Sequence, residues 1–279
     1  MILIVESGSS KADWLIVEKG ETKLSFQTKG WNPLFMDLAE MNTRLQSYKD
    51  LEPFFPVLSQ IFFYAPGVNN LTSKETLSKA LDAIFVNASV IIESDLLAAA
   101  RASYEKTSLF VSILGTGSNT AFYDGEVLQQ YTPSLGYVLG DEGSGASLGK
   151  LLLKAYLYHS LPNDLHLEFS KKYSISKDLV LKSVYKTDKP NRFLASYTPF
   201  LVEHKKHPFV EELVRREFCT YLSTHILSNK ASRDFPLVFV GSVAYFFQDI
   251  LKDLCVQNSL LVANIIQSPI KGLKAYHTS

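Results

Sequence analysis

Glu6-Ser7-Gly8-Ser9-Ser10-Lys11 sets a run of small residues and a lysine in a turn between two apolar stretches. Small side chains let backbone N–H groups approach an anion closely, and Lys11 adds a positive charge. Glu6 ends the first apolar stretch, where a carboxylate can hold Mg2+ through water. No GxxxxGK[ST] sequence leads into a helix, so this is not a Walker motif. On its own the turn reads more readily as a plain hairpin. A second small-residue turn, Leu114-Gly115-Thr116-Gly117-Ser118-Asn119, repeats the arrangement farther along. Two such turns at matching places in two matching lobes would bracket a polyphosphate from both sides.

Other segments add chemistry. Asp95 follows the apolar run Val90-Ile91-Ile92, at a strand-to-helix junction. A carboxylate there can accept the proton of an attacking hydroxyl; its structural alternative is an N-cap for the helix that follows. Glu93 is the weaker rival for the base. Gly136-Tyr137-Val138-Leu139-Gly140-Asp141-Glu142-Gly143-Ser144-Gly145 is too glycine-rich for an ordinary helix start. Backbone lying close to a ligand explains the glycines, and Asp141 can bind sugar hydroxyls; a flexible loop with a solvated acidic pair is the alternative. In Phe239-Val240-Gly241-Ser242-Val243 a strand gives way to a helix, and glycine there lets a flat adenosine lie against the backbone. His204 and His207, beside Lys205 and Lys206, read as solvated helix surface.

The elements that must position these residues fall into two rounds. Strands are expected at 2–5, 12–18 and 22–28, a helix at 34–48, and a strand at 60–64. A helix follows through residue 85, with its capping signal in Thr72-Ser73-Lys74-Glu75. A strand at 90–92 and a helix at 95–104 close the round. The second round opens with strands at 109–114 and 119–123, and the Asp124-Gly125 turn leads into 127–131. Residues 146–224 read as mostly helical, followed by a strand at 237–240 and a helix at 245–255. The repeated plan predicts two similar lobes, 1–107 and 108–279, with the last helix packing back on the first.

The chain has 279 residues, a size that suits two ordinary domains. Its 28 Lys+Arg balance 28 Asp+Glu, so neither a nucleic acid nor an anionic membrane is an expected partner. A polyanionic ligand would have to be held locally, by loops and a metal. Cys219 and Cys255 form no CxxC pair, which indicates neither a zinc site nor a disulfide framework; both read as buried, reduced thiols. The N-terminus lacks a basic region and meets Glu6 at once, so it reads as a strand rather than a signal peptide. No stretch approaches the length of a membrane span, and the cytoplasm is the expected location.

Taken in order, these motifs resemble the actin–hexokinase–Hsp70 superfamily and, within it, the N-acetylglucosamine kinase-like proteins and their BadF/BadG-type ATPase relatives. The resemblance covers nearly the whole chain and implies an α/β fold of two actin-like, RNase H-like domains flanking a nucleotide and sugar cleft. The implied reaction is transfer of the γ-phosphoryl group of ATP, with Mg2+, to a hydroxyl of a small amino sugar such as N-acetylglucosamine. It makes Asp95 the base and Glu6 the metal ligand through water. It makes Gly8, Ser9, Ser10, Lys11, Gly115, Thr116 and Gly117 phosphate contacts, and Gly241 and Ser242 adenosine contacts. Asn32, Asn119, Asp141 and the Gly136-Tyr137 backbone become sugar contacts, and a homodimer is implied.

Two departures bear on this. The family commonly has Asp where this chain has Glu6, and a bulkier Trp near Tyr137. Two other functions share the scaffold. Activator ATPases of acyl-CoA dehydratases carry a cluster-ligating Cys just before the second phosphate turn, where this chain has Ser112. A non-catalytic sugar or nucleotide sensor would be expected to lose the base or a turn, yet Asp95 and both turns are present.

Overall fold

The computed structural model describes residues 1–278. The chain forms two compact units: Met1–Glu105 together with the segment from Ser268 onward, and Lys106–Gln267.

In the first unit, β1 (Ile2–Ser7) pairs antiparallel with β2 (Lys11–Glu18), from Ile2↔Val17 to Ser7↔Ala12. That register leaves four residues, Gly8 to Lys11, to close the hairpin, so the first small-residue turn is a direct product of strand pairing. The third strand, β3 (Glu21–Lys29), alternates exposed and half-buried positions and lies at the sheet edge. After a 3-10 turn at Pro33–Phe35 comes α1 (Leu38–Ser47), capped by Asp37. The helix expected at 34–48 is therefore divided, because the Asn32 side chain caps the short turn and Met36 is extended.

Strand β4 (Gln60–Ala65), helix α2 (Leu71–Asp82), strand β5 (Ser89–Ser94) and helix α3 (Asp95–Ser103) complete this part of the chain. The cap of α2 is Asn70, which accepts the Ser73 N–H, and not the expected Thr72 group. Both β4 and β5 run parallel to β1, giving the sheet order β3-β2-β1-β4-β5. One face packs on a core in which Trp14 contacts Trp31, Tyr48 and Phe63 edge-on.

The second unit repeats the plan. Its β6 (Leu109–Leu114) pairs antiparallel with β7 (Ser118–Tyr123), which pairs with the short β8 (Leu128–Gln129). A largely helical stretch follows, with α4 (Gly136–Leu139), α5 (Gly145–Leu157), α6 (Asn163–Lys172), α7 (Lys177–Tyr185), α8 (Pro190–Ala195), α9 (Thr198–Glu203) and α10 (Pro208–Tyr221). Then come β9 (Leu237–Val240), α11 (Ser242–Phe246), α12 (Gln248–Gln257) and β10 (Val262–Ile266). The order β10-β9-β6-β7-β8 is the first sheet's order over again, read from the other edge, with β9 parallel to β6.

The last helix, α13 (Ile270–Thr278), belongs to the first unit and packs on α3. Gly272 permits that approach, since a Cβ there would lie 2.2 Å from the Ala102 carbonyl oxygen. Among the described residues, no helix is long and apolar enough to cross a membrane. Both cysteines are free, and Cys255 is buried. Cys219 corrects the expectation of two buried thiols: it is exposed on α10, whose core side is taken by Leu213, Val214 and Phe218.

Candidate functional site

The first turn is held from beneath. Ser7 is fully buried, and its hydroxyl oxygen accepts the Trp31 N–H at 2.7 Å. The Gly8 N–H donates to the Lys11 carbonyl at 2.9 Å, and the Gly30 N–H donates to the Ser10 carbonyl at 3.0 Å. A Cβ on Gly30 would stand 2.2 Å from the Gly8 carbonyl oxygen, so only glycine lets the backbone after β3 lie under the turn. Ser10 and Lys11 are left exposed at its tip.

Three carboxylates gather beside this turn. Glu6 stands opposite Asp13 in the β1–β2 register. Asp13 is buried, accepts hydrogen bonds from the Gln27 amide and the Ser268 hydroxyl, and lies 3.6 Å from the Lys11 ammonium. Burial pushes the Glu6 carboxyl up to about 8; neighbouring Asp13 and Asp95 add to the shift, and Lys11 opposes it. Asp95 is raised to about 6, also by burial, against the stabilising hydrogen bond from the Leu96 N–H. The N-cap of α3 is Ser94, whose hydroxyl accepts the Leu97 N–H at 3.1 Å. The capping role considered for Asp95 is thus filled by its neighbour.

Among the described residues, no group of three or more His, Cys, Asp or Glu side chains converges as a metal cage. Glu6 and Asp13, paired across the hairpin, are the one or two carboxylates that a Mg2+ keeping several waters would take beside phosphate oxygens. Asn32 completes the sequence-derived set in this unit. Its carbonyl oxygen accepts the Leu34 N–H at 3.1 Å and lies against Gly67, where a Cβ would come within 2.5 Å.

The second turn is braced differently. The Gly115 N–H donates to the Gly117 carbonyl at 3.0 Å, closing it. The carbonyls of Gly115 and Thr116 accept the Gly145 and Ala146 N–H groups at 2.8 and 3.0 Å, which joins the turn to the start of α5. Gly241 packs against it with φ +120°, and a Cβ there would lie 2.4 Å from the Leu114 carbonyl oxygen. Ser242 follows as the first residue of α11.

Asp141 sits behind the same turn. Its carboxylate accepts the Ser118 N–H at 3.2 Å, and a Cβ on Gly117 would lie 3.0 Å from its Oδ2. Burial raises its pKa, while the Ser118 N–H opposes the shift. Gly115, Thr116, Gly117, Asp141 and Gly241 therefore form one cluster. The Asn119 carbonyl oxygen is engaged by the Gln130 amide at 2.6 Å and the Thr120 N–H at 2.9 Å. Gly136 opens α4 with φ +70°, and Lys150 Nζ lies 3.4 Å from the Tyr137 carbonyl oxygen.

Sequence reasoning missed several supports. Ser7, Gly30 and Asp13 hold the first turn, while Glu142, Glu217 and His225 hold the Asp141 loop. The acidic residue facing Glu6 across a hairpin was legible in Ala12-Asp13-Trp14; partners from the distant helix α10 and the turn after it were not.

Two units sharing one five-stranded plan, each opening on a hairpin with a small-residue turn, define the two-domain actin-like ATPase fold. No protein-family profile matches the sequence, and no curated protein matches it significantly. Solved structures do. A Porphyromonas gingivalis protein provisionally named N-acetylglucosamine kinase is 36% identical over 100% of this chain and 99% of its own, with a TM-score of 0.93. The chain belongs to the N-acetylglucosamine kinase-like family. A Chromobacterium violaceum protein with the same provisional name is 15% identical over 99% of this chain and 98% of its own, at a TM-score of 0.70. A ROK family glucokinase from Streptomyces griseus, solved with glucose and AMPPNP, is 13% identical over 98% and 97%, at a TM-score of 0.58. These last two likenesses concern the fold alone.

Proposed function

We propose that this protein phosphorylates a hydroxyl of a small N-acetylated amino sugar, such as N-acetylglucosamine, at the expense of ATP. The observation that carries this reading is Asp95. It opens α3 with capping left to Ser94, it remains half-buried, and its pKa of about 6 leaves it unprotonated at neutral pH. Such a carboxylate can take a hydroxyl proton without being a hydrated, weak base. The full-length likeness to the Porphyromonas protein supports the choice of acceptor.

The sugar hydroxyl oxygen attacks the γ-phosphorus, the bond from that phosphorus to the β,γ-bridging oxygen breaks, ADP leaves, and Asp95 takes the proton. In the first unit, Gly8, Ser9, Ser10 and Lys11 bind phosphate oxygens, and Asn32 binds the sugar. In the second, Gly115, Thr116 and Gly117 bind phosphate, Gly241 and Ser242 receive the adenosine, and Asn119, Asp141 and the Gly136-Tyr137 backbone bind the sugar. Glu6, with Asp13 beside it, would hold Mg2+ through water, giving up its proton as the cation binds, and the ion would supply charge neutralisation at the phosphates.

The test is ADP release from Mg·ATP across a panel of sugars, with no sugar as the control. Release that depends on one amino sugar supports the reading and identifies the acceptor. Steady release without sugar points instead to an ATPase with a protein partner. No release at all turns attention to Glu6, one methylene longer than the family's usual Asp, and to a sensor role.

A further inference from the structure

The loop that carries Asp141 is held in an unfavourable backbone conformation by residues outside the sugar-binding set. Asp141 has φ +59°, a left-handed value that costs a non-glycine residue energy. Such strain persists only where the surroundings over-determine it. The next two residues supply the restraint. The Glu142 carboxylate lies 2.9 Å from His225 Nε2, and the Gly143 N–H donates to the Glu217 carboxylate at 2.9 Å. A carboxylate only accepts, so Nε2 carries the proton in this pair.

His225 is built into its place. It is 7% exposed and stacks on Tyr221 with ring centroids 5.3 Å apart. The Tyr221 hydroxyl lies 2.7 Å from the Thr120 hydroxyl on β7, beside Asn119. The backbone that presents His225 is a π-helical turn, Leu222–Ile226, at the end of α10. Such turns are rare and recur at functional sites. His225 Nδ1 is buried with no partner among the described residues, so the Nε2 contact to Glu142 is the ring's one hydrogen bond there.

We infer that His225 is a positioning residue for the acceptor: through Glu142 it fixes the strained Asp141 backbone and so the direction of the Asp141 carboxylate. This rests on the reading that Asp141 contacts the sugar. The effect falls on the acceptor more than on the nucleotide, because the second turn keeps its hydrogen bonds from Gly145 and Ala146 when Glu142 is released.

The experiment compares His225→Ala, His225→Gln and Glu142→Ala in the full-length protein. The readouts are acceptor KM, nucleotide KM, kcat and amide hydrogen exchange over residues 140–145. Loss of a hydrogen bond to a charged group predicts an acceptor KM raised about tenfold in both alanine variants, with nucleotide KM changed less than about threefold. Exchange over 140–145 should accelerate in both. His225→Gln, whose side-chain amide can still donate to Glu142, should restore acceptor KM. An unchanged acceptor KM, a nucleotide KM rising in step with it, or no rescue by Gln overturns the inference. If His225→Ala does not fold, Glu142→Ala decides, since Glu142 is half-buried at the loop. Exchange is read without turnover, so unchanged protection refutes the bracing even if no sugar-dependent ADP release is found and the kinase reading fails.

Discussion

The two small-residue turns arise from the same strand plan and are stabilised in opposite ways. The Gly8–Lys11 turn in the first unit sits on uncharged backbone, the Gly30 and Trp31 segment, and has a group of mutually interacting charges beside it: Lys11, Glu6, Asp13 and Asp95. The second turn has the Asp141 carboxylate bonded to Ser118 and rests on the glycines at 145 and 241. On the proposed function, the first turn would serve proton transfer and metal binding, and the second the phosphates of the nucleotide. The repeated architecture places the turns; non-repeated residues decide what each can do.

The largest expected effect separates these roles. Asp95→Asn should lower kcat by roughly 10²–10⁴-fold with little change in nucleotide affinity, the usual range for loss of a general base. A variant retaining most of its turnover would remove the division of labour. Asp141→Ala, in the second unit, should instead raise sugar KM by about tenfold, with a smaller rise in nucleotide KM; an unchanged sugar KM would take the acceptor away from that loop.

Next come the supports. Gly30→Ala and Gly241→Ala should each destabilise by about 1–3 kcal/mol, through overpacking against backbone that cannot move aside. Thermal melting measures this. A Gly30 variant as stable as the wild type would mean that the first turn is not seated as tightly as the second. Nucleotide KM should rise in both, because each clash is with the carbonyl of a residue within or next to a turn.

The remaining effects are those of pH, and they test the first unit alone. Asp95 must be unprotonated to act, so kcat/KM should fall as pH drops through about 6. A profile flat to pH 5 would argue against Asp95 as the base. Stability should run the other way. Glu6 has an ordinary pKa of 4.5 and a folded value of about 8. Between those values the folded protein holds a proton that the unfolded chain has released. Stability is therefore lost as pH rises through that window. Glu6→Gln should flatten this dependence in melts recorded from about pH 7 to 8, above the Asp95 value of about 6, and a slope that persists there would assign the effect to another group.

Much of this was legible in the sequence where function depends on local pattern. Apolar runs broken by small-residue turns foretold β1, β2, β6 and β7, because hairpin strands declare themselves by alternation and by the residues that close them. Asp95 was legible as the first polar side chain of a helix following an apolar strand, although that strand proves to be a sheet edge that is only partly buried. Boundaries governed by caps were less so: Asn70, Asp37 and Ser94 each took a role that neighbouring residues could have filled, since several polar candidates stood within hydrogen-bonding reach. Strand β10 went unseen, its Val-Ala-Asn-Ile-Ile sequence being too short and too weakly alternating to stand apart from a loop.

The sequence by itself determined the two-lobed α/β plan, the order of the motifs and which polar side chains stand at their turns and helix starts. All of these are set by residue type and short-range spacing. Tertiary structure alone decided which glycines are obligatory, that Glu6 and Asp95 are held well above the ordinary carboxylate range, and that the Asp141 loop is braced by His225 and Glu217 from far along the chain. Burial, close backbone approach and charge proximity are properties of distance in space, and spacing along a chain does not contain them.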